Sequence, residues 1–257
     1  MVLPAYGSIM IELSDKEKIR DWFRPEVPGP LIGPHVMRTG HGRILVDDPA
    51  EPGTVLAETG GGNYDLSGDP AGLDCDKLPH GFYRTDEDFA PLLAERSGEL
   101  HRWPRVVHEL TGEPKPVPHV AAGLRLLGPG DTAGLEALSP ELRWITETWG
   151  GHAAAAASGL AVGAFVHGRL VSVALPFYCG ERYEDLGVIT EAGHRGRGLS
   201  AACAARVVEG VLRRGRRPSW STSPDNLGSL RVAAKLGFRL VREDHLYVTG
   251  FPPPPAS

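Results

Sequence analysis

Apolar residues in the C-terminal half of the chain recur at the spacing of an amphipathic helix. Leu199, Cys203, Val207 and Val211 fall on one predicted helical face. Directly before them, Glu181–Thr190 ends in three β-branched residues typical of a strand, and several glycines separate the two segments. The pattern therefore predicts a strand, a glycine-rich turn and a helix in immediate succession.

The predicted turn has the chemistry of an anion site. A glycine turn that leads into a helix leaves backbone N–H groups without helical partners, next to the positive end of the helix dipole. Arg195 and Arg197 add two guanidinium groups, which match phosphate oxygens well. The sequence predicts phosphate binding here. A solvated basic turn that only reverses the chain is the alternative.

A second strand and helix follow. Pro218–Ser223 is predicted as a strand, and the next helix begins near Asn226, with Ser223 or Asp225 as further candidates for its cap. We predict that the helix ends before Gly237, because glycine accepts the left-handed conformation that closes many helices.

In this order, the elements and motifs resemble the GCN5-related N-acetyltransferase (GNAT) superfamily. The first motif of that family, Arg/Gln-x-x-Gly-x-Gly/Ala, matches Arg195–Ser200; the second, an Asn before an apolar helix that ends in Gly-Phe, matches Asn226–Phe238. The resemblance covers residues 120–250. It implies an α/β (α+β) fold, with a mixed, mainly antiparallel twisted sheet flanked by helices, and leaves an additional N-terminal α/β domain.

The resemblance also implies acetyl transfer from acetyl-CoA to a primary amine of a small molecule or peptide. The expected acetyl-CoA-binding residues are Val188, Ile189, Thr190, Arg195, Gly196, Arg197, Gly198, Leu199, Ser200 and Asn226. Two positions depart from the family pattern. Ser200 stands where Gly or Ala is usual, and it is also small. Ala233 replaces a tyrosine that protonates the departing thiolate in many members, so the general acid is left open.

Glu184 is the predicted catalytic base. It precedes Arg195 by 11 residues, on the strand where some family members carry a catalytic glutamate. Strand alternation places Glu184 on the face of Val188 and Thr190, and Asp185 on the opposite face. A carboxylate that faces a partly apolar cleft has its pKa raised toward neutrality, as a base requires. A solvent-facing strand charge is the alternative role for Glu184.

Other classes of function fit part of the pattern. The segment Gly196-x-Gly198-x-x-Ala201 satisfies a dinucleotide-binding fingerprint, but the next predicted strand holds no acidic residue to bind the ribose. A non-catalytic acyl-CoA sensor with the same fold would explain Ala233. An RNA- or tRNA-linked acyltransferase is a third alternative, and it depends on the arginine content alone.

The charge distribution along the chain is asymmetric. Residues 1–118 hold 12 Lys+Arg against 20 Asp+Glu, a net charge of −8, and residues 119–257 hold 15 against 12, a net charge of +3; the sum is the −5 of the whole chain. Seven arginines lie within 195–217. Arginines near a helix end complement its dipole, and we take this to be their main role rather than nucleic-acid binding.

Composition argues against several kinds of site. Cys75, Cys179 and Cys203 lie far apart without a Cys-x-x-Cys pair, which predicts neither a disulfide framework nor a metal site. The first 11 residues lack the features of a signal peptide, and the most apolar window, 153–166, is too short to span a bilayer. We expect a cytoplasmic protein with no membrane segment, and a homodimer is left open.

The proline-rich segment Gly112–Pro118 is a predicted connector. It divides the chain into an N-terminal domain of unclear ancestry (1–118), a GNAT-like domain (119–250) and a disordered tail (251–257). The N-terminal domain is predicted to contain a helix over 15–23 and strands over 36–46 and 54–57. Because Arg38–Ile44 weakly resembles the later glycine loop, a degenerate GNAT-like half is an alternative origin.

A β-hairpin is predicted after the connector, with its turn at His167–Arg169. Trp144, Trp149 and His152 precede this hairpin, where the resembled family builds its acceptor pocket. The two tryptophans also fit a purely structural role in the core, and His152 also fits a surface loop.

Overall fold

The computed structural model describes residues 10–254, in which helices cover both faces of a large sheet. Residues 1–9 and 255–257 lie outside the described residues; they hold most of the segment tested for a signal peptide and the end of the predicted tail. The α-helices are α1 (Ile32–Thr39), α2 (Ala90–Ser97), α3 (Thr132–Glu136), α4 (His152–Ala157), α5 (Leu199–Arg213) and α6 (Leu227–Leu236). The two longest 3₁₀ helices of the described residues span Lys16–Phe23 and Pro140–Trp149.

The strands of residues 10–254 form one twelve-stranded sheet in the order β1-β2-β3-β4-β5-β12-β6-β11-β10-β9-β8-β7. Their bounds are β1 (Ile11–Glu12), β2 (Arg43–Val46), β3 (Thr54–Thr59), β4 (Asn63–Gly68), β5 (Phe82–Thr85), β6 (Leu100–Glu109), β7 (Gly123–Leu126), β8 (Val162–Val166), β9 (Arg169–Cys179), β10 (Tyr183–Thr190), β11 (Arg217–Thr222) and β12 (Arg239–Thr249). Only the β4–β5 and β10–β11 pairs are parallel. The predicted mixed, mainly antiparallel sheet is confirmed.

Each half of the chain places its last strand inside the other half of the sheet. β6, the last strand before the connector, lies between β11 and β12, and β12 lies between β5 and β6. β6 and β12 pair along nearly their whole length, from Arg239↔Glu109 to Thr249↔Leu100. The segments on either side of the connector therefore share one sheet. The boundary at residue 118 stays a prediction about folding units.

The two halves have the same local strand arrangement next to the exchanged strands β6 and β12. In the N-terminal half, β4 runs parallel to β5, which is followed by β12; in the C-terminal half, β10 runs parallel to β11, which is followed by β6. An Asp-Leu pair lies in the first strand of each set, as Asp65–Leu66 and Asp185–Leu186. Asp65 is opposite Arg84, and Asp185 is opposite Ser219.

Helices bury the two faces of the C-terminal half in separate cores. The predicted stripe of Leu199, Cys203, Val207 and Val211 is buried on α5 against one face of the sheet, which confirms that prediction. The opposite face is covered by α3, α4 and the 3₁₀ helix Pro140–Trp149. Removing these apolar side chains from water is the main force that holds the helices to the sheet.

The N-terminal segment is fixed to the C-terminal half by polar contacts. His35 on α1 has its Nε2 2.8 Å from the carbonyl oxygen of Thr148, and its Nδ1 accepts from the backbone N–H of Cys179 at 3.0 Å. The carboxylate of Glu26 accepts three backbone N–H bonds of 2.7–2.9 Å from residues 181–183. These contacts fix the start of β10, the strand that leads to the glycine loop.

Several local predictions were confirmed and one was wrong. The hairpin of β8 and β9 turns at His167 and Gly168, as predicted. The segment 36–46 is not one strand: α1 runs to Thr39 and ends at Gly40, whose φ of 76° closes the helix, and strand β2 begins only at Arg43. Phe251, in the predicted disordered tail, packs its ring 5.2 Å from that of Phe82.

Candidate functional site

β10 and β11 diverge after a short parallel segment. Their register joins Tyr183–Asp185 to Arg217–Ser219 and, in the described chain, goes no further. β10 continues to Thr190 against β9 alone, while β11 continues against β6. We call the wedge between the diverging strands the notch.

The open edge of β10 presents backbone groups to the notch. The N–H of Glu191 donates to the carbonyl oxygen of Val171 at 2.9 Å, which identifies Glu191 as a residue bonded to β9. Hydrogen-bonding direction alternates along an antiparallel pair, so the N–H and C=O groups of Val188 and Thr190 point the other way, into the notch. A ligand in the notch can therefore pair with this strand edge.

The glycine loop lies at the open end of the notch. Gly196 and Gly198 have φ values of 76° and 80°, which only glycine adopts readily, and Gly198 directly precedes α5. A Cβ at Gly193 or Gly196 would meet no other atom within 4 Å, so the loop faces open space. The first N–H groups of α5 have no partner inside the helix, and Arg195 and Arg197 are exposed beside them.

Hydroxyl groups fix the helix to the strand at the loop. Thr190 Oγ1 lies 2.6 Å from Ser172 Oγ and 2.7 Å from Ser200 Oγ. The hydroxyl of Ser200 therefore holds α5 against β10, while the small size of Ser200 keeps its own backbone N–H accessible. Glu191 fixes the other side of the loop, because its carboxylate accepts from the N–H and the hydroxyl of Ser139 at 2.9 and 2.7 Å.

Asp185 lies at the closed end of the notch. Its side chain is 3% exposed and accepts hydrogen bonds from Ser219 Oγ at 2.7 Å and from Ser221 Oγ at 2.5 Å. Burial raises the pKa of Asp185 from its ordinary 3.8 to about 6, and the two serine hydroxyls only partly offset this effect. The carboxylate is thus a proton acceptor that titrates near neutrality.

Glu184 lies on the opposite face of β10, as strand alternation predicted, but in different surroundings from those expected. Its buried carboxylate accepts from Arg214 Nε at 3.1 Å, from Arg214 Nη2 at 2.6 Å and from Arg216 Nη1 at 3.2 Å. Glu184 lines a cleft together with Trp149 and Leu160, but its carboxylate is paired with two arginines at the C-terminal end of α5. Its catalytic role stays a prediction, and these contacts favour a structural one.

The second helix motif is organised around Asn226. Asn226 Oδ1 accepts the N–H of Ser229 at 3.0 Å, so Asn226 itself caps α6, rather than Ser223 or Asp225. Ala233 is fully buried in the core behind this helix. An alanine at this position has no proton to donate, and the identity of the general acid stays open.

The face of the sheet that carries Asp185 is bordered by aromatic residues. A Cβ at Gly187 would lie 2.9 Å from Ile145 and 3.2 Å from Phe177, so a larger residue on β10 at this point would require these side chains to shift. Trp144, 39% exposed, packs edge-on to Phe177 at 5.4 Å. Trp149, by contrast, is buried and donates its Nε1–H to the carbonyl oxygen of Pro176.

His152 begins α4 and bonds to Thr146 Oγ1 at 2.8 Å through Nδ1, so it is not a free loop residue. Within residues 10–254, no group of three or more His, Cys, Asp or Glu residues could hold a metal ion. No helix of the same range has the length and apolar character needed to cross a membrane.

Comparison with known proteins identifies the family. The model for GNAT acetyltransferases matches residues 132–247. The chain is also 33% identical over 200 residues to an uncharacterized N-acetyltransferase from the mutA 5′ region of Streptomyces virginiae, an alignment that covers 75% of this chain and 84% of that protein. The chain belongs to the GNAT family. It is a GNAT-type N-acetyltransferase.

Solved structures of GNAT proteins have the same fold over nearly the full chain. A GCN5-related N-acetyltransferase-like protein from Streptococcus suis is 22% identical, with a TM-score of 0.68, and the match covers 91% of this chain and 97% of that one. A tandem GNAT protein from the clavulanic acid biosynthesis pathway, determined without acetyl-CoA, is 14% identical, with a TM-score of 0.52 and coverage of 96% and 99%. The fold likeness thus includes the N-terminal half.

Sequence reasoning missed Asp185 as a candidate base. Strand alternation correctly separated Asp185 from Glu184, but it could not show which face closes the notch. The contact that distinguishes them is long-range: Ser219 and Ser221 of β11 reach Asp185, whereas arginines after α5 reach Glu184.

Proposed function

We propose that this GNAT protein transfers an acetyl group from acetyl-CoA to the amine of a small molecule, with acetyl-CoA bound in the notch. The observation that supports this most strongly is the arrangement along β10: a glycine loop with two arginines at one end, a strand edge beside which β11 has diverged in the middle, and a buried carboxylate of raised pKa at the other end. The phosphates of acetyl-CoA would bind at the loop, its amides at the strand edge, and the acceptor amine at the carboxylate.

The loop and α5 would hold the cofactor. The backbone N–H groups of Gly196, Gly198, Leu199 and Ser200 lie where a pyrophosphate can accept hydrogen bonds, and the guanidinium groups of Arg195 and Arg197 add charge. Val188 and Thr190 would pair with the pantetheine amides along the strand edge. Ile189, whose backbone groups face β9, would hold β10 in place for that pairing. Asn226 would contribute by orienting α6 at the mouth of the notch.

Asp185 is the proposed general base, in place of Glu184. Acetyl-CoA supplies a thioester whose carbonyl carbon accepts the amine lone pair. Asp185 takes the proton that the amine loses as the C–N bond forms, because it is buried near the point where β10 and β11 diverge. The outward N–H of Val188 stabilises the developing oxyanion. The C–S bond then breaks, and the leaving thiolate takes its proton from water at the open side of the notch.

A binding experiment tests the cofactor assignment. At about 100 times its dissociation constant, a ligand that binds only the folded state adds about 2.7 kcal/mol to the free energy of unfolding. We expect acetyl-CoA to raise the melting temperature and NADPH to leave it unchanged. Stabilisation by NADPH without stabilisation by acetyl-CoA would contradict the proposal in favour of a dinucleotide site.

Turnover separates an enzyme from an acyl-CoA sensor with the same fold. Release of free thiol from acetyl-CoA in the presence of an amine library is the expected result.

We further propose a reducing, cytoplasmic location, which Cys75, Cys179 and Cys203 support because all three thiols are free.

A further inference from the structure

Three arginines lie on the same face of the central strands as Asp185. Arg84 on β5, Arg105 on β6 and Arg242 on β12 share this face, as the register of the paired strands shows. Two of them are neutralised locally: Arg84 pairs with Asp65 at 3.0 Å, and Arg242 pairs with Asp244 at 2.8 Å. Among residues 10–254, Arg105 forms no ion pair with a carboxylate.

Arg105 has hydrogen-bonding capacity to spare at the edge of the notch. Its Nη2 donates to the carbonyl oxygen of Ser221 at 3.1 Å, and its guanidinium carbon lies 4.4 Å from the centre of the Trp103 ring. Its Nε is buried without a hydrogen-bond partner in the described structure. A buried guanidinium N–H without an acceptor costs stability, and such costs are concentrated at functional sites.

The electrostatic surroundings of Arg105 agree with this geometry. Burial lowers the pKa of Arg105, although the negative charge of Asp185 acts in the opposite direction. The cation is therefore only partly compensated by the protein. An anionic group bound beside Arg105 would supply the missing charge and an acceptor for Nε, and a carboxylate matches the planar fork of a guanidinium in two hydrogen bonds.

Ser221 connects Arg105 to the proposed base. Its carbonyl oxygen accepts from Arg105, and its hydroxyl donates to Asp185 at 2.5 Å. Ser221 alone therefore lies between the Arg105 guanidinium, which could bind an anion, and the Asp185 carboxylate, which could bind an amine. This spacing fits a small molecule whose amino and acidic groups are only a few bonds apart.

We propose that the acceptor of this N-acetyltransferase is an amine that also carries a carboxylate, of the amino acid type, with its carboxylate on Arg105 and its amino group at Asp185. The inference rests on the proposed function. Because Arg105 lies on β6, it also gives the N-terminal half a direct part in the site: the strand exchanged into the C-terminal half brings the residue that selects the acceptor.

Matched pairs of acceptors test the inference. Each pair is an amino acid and its decarboxylated amine: phenylalanine and phenethylamine, histidine and histamine, tryptophan and tryptamine, arginine and agmatine. Thiol release from acetyl-CoA gives kcat/KM for each compound, and calorimetry gives the acetyl-CoA dissociation constant separately. The variant Arg105→Gln removes the charge, and Arg239→Gln removes an exposed arginine of β12 as a control.

We expect the wild type to prefer the carboxylated member of at least one pair by about 10- to 100-fold, the size of a lost charge-assisted hydrogen bond. Arg105→Gln should remove that preference by lowering kcat/KM for the amino acid alone, with an unchanged acetyl-CoA affinity. Arg239→Gln should behave as the wild type.

Three results would overturn the inference. The first is equal kcat/KM for the amine and the amino acid in every pair. The second is an equal loss of kcat/KM for both members of a pair in Arg105→Gln. The third is acetylation of none of the carboxylated compounds while acetyl-CoA still binds. Failure of acetyl-CoA to bind is a different result, since it contradicts the proposed function itself.

Discussion

The parallel strand pairs of the two halves place an aspartate in the same position, but they treat its charge differently. Asp65 on β4 accepts from Arg84 Nη1 at 3.0 Å and from the N–H of Gly33 at 3.2 Å, so its carboxylate has a cationic partner. Asp185 on β10 has two neutral serine hydroxyls instead, and its pKa is raised to about 6. Asp65 thus has a cationic partner, whereas Asp185 is buried among neutral ones that leave its pKa raised.

The segments that follow β4 and β10 also differ. β10 leads into the glycine loop and α5, whereas β4 leads into a long connection with only the short 3₁₀ helix Cys75–Lys77 before β5. The N-terminal pair therefore has no helix N-terminus for a phosphate. Of the two strands, only β10 combines a buried aspartate without an ion-pair partner in the described chain and a glycine loop that leads into a helix.

Replacing Asp185 should have the largest effect on this contrast. We expect Asp185→Asn to lower kcat by about 10²–10⁴ at pH 8, the usual contribution of a positioned general base. Acetyl-CoA affinity should stay within about threefold, because the phosphate loop lies at the other end of β10. Steady-state kinetics and calorimetry measure both quantities. A variant with full activity would remove Asp185 from the mechanism.

The glycine loop can be disrupted separately. Gly198→Val should weaken acetyl-CoA binding by on the order of 100-fold, since a branched side chain beside the pyrophosphate would cost charge-assisted hydrogen bonds. Gly168→Val is the matched control: Gly168 has a φ of 78°, close to the 80° of Gly198, but lies in the β8–β9 turn with open space around it. Both variants bear similar backbone strain, so calorimetry should show a loss only for Gly198→Val.

Stability should change in opposite directions at the two aspartates. A pKa raised from 3.8 to about 6 means that the folded state holds the Asp185 proton more tightly; this stabilisation is present below pH 4 and lost as the pH rises through 6. Asp185→Asn should therefore raise the free energy of unfolding by about 2–3 kcal/mol at pH 8 and by little at pH 4.

Asp65→Asn should instead lower the free energy of unfolding by about 1–3 kcal/mol at pH 8, because Arg84 loses its partner. This loss of unfolding free energy is smaller than that expected for a fully buried ion pair, because the Arg84 side chain is 37% exposed. Denaturant unfolding at both pH values provides the measurement. Equal signs for the two variants would show that the halves do not differ in this way.

The smallest effect is expected at Glu184. Glu184→Gln should lower the free energy of unfolding by about 1–2 kcal/mol, because Arg214 and Arg216 lose a shared buried partner, and should change kcat less than about threefold. Parallel unfolding and kinetic measurements decide this. A large loss of kcat with unchanged stability would instead support the base assignment made from the sequence.

Much of the fold could be predicted from local patterns. The stripe on α5, the hairpin at His167 and the loop with Gly196 and Gly198 each follow from residues close together in the chain, so periodicity and glycine placement were sufficient. The exchange of β6 and β12 could not be predicted in this way. The sequence pattern of a strand shows which of its faces is apolar, but it does not show which strand it pairs with.

The part of the candidate site that lies in one continuous segment could also be predicted from the sequence. The proposed phosphate loop is one continuous segment, and its motif was recognisable. The choice between Glu184 and Asp185, in contrast, depends on Arg214, Ser219 and Ser221, which are brought together only by the fold. Arg105 is more distant still, since strand exchange carries it from the N-terminal half to the notch.

The pH dependence of acetyl transfer tests the central claim most directly. With an identified acceptor, kcat/KM of the wild type should rise with pH through an apparent pKa of about 6, as the Asp185 carboxylate becomes able to accept a proton. That limb should disappear in Asp185→Asn and persist in Glu184→Gln. A limb that persists in Asp185→Asn and disappears in Glu184→Gln would contradict the account and return the catalytic role to Glu184.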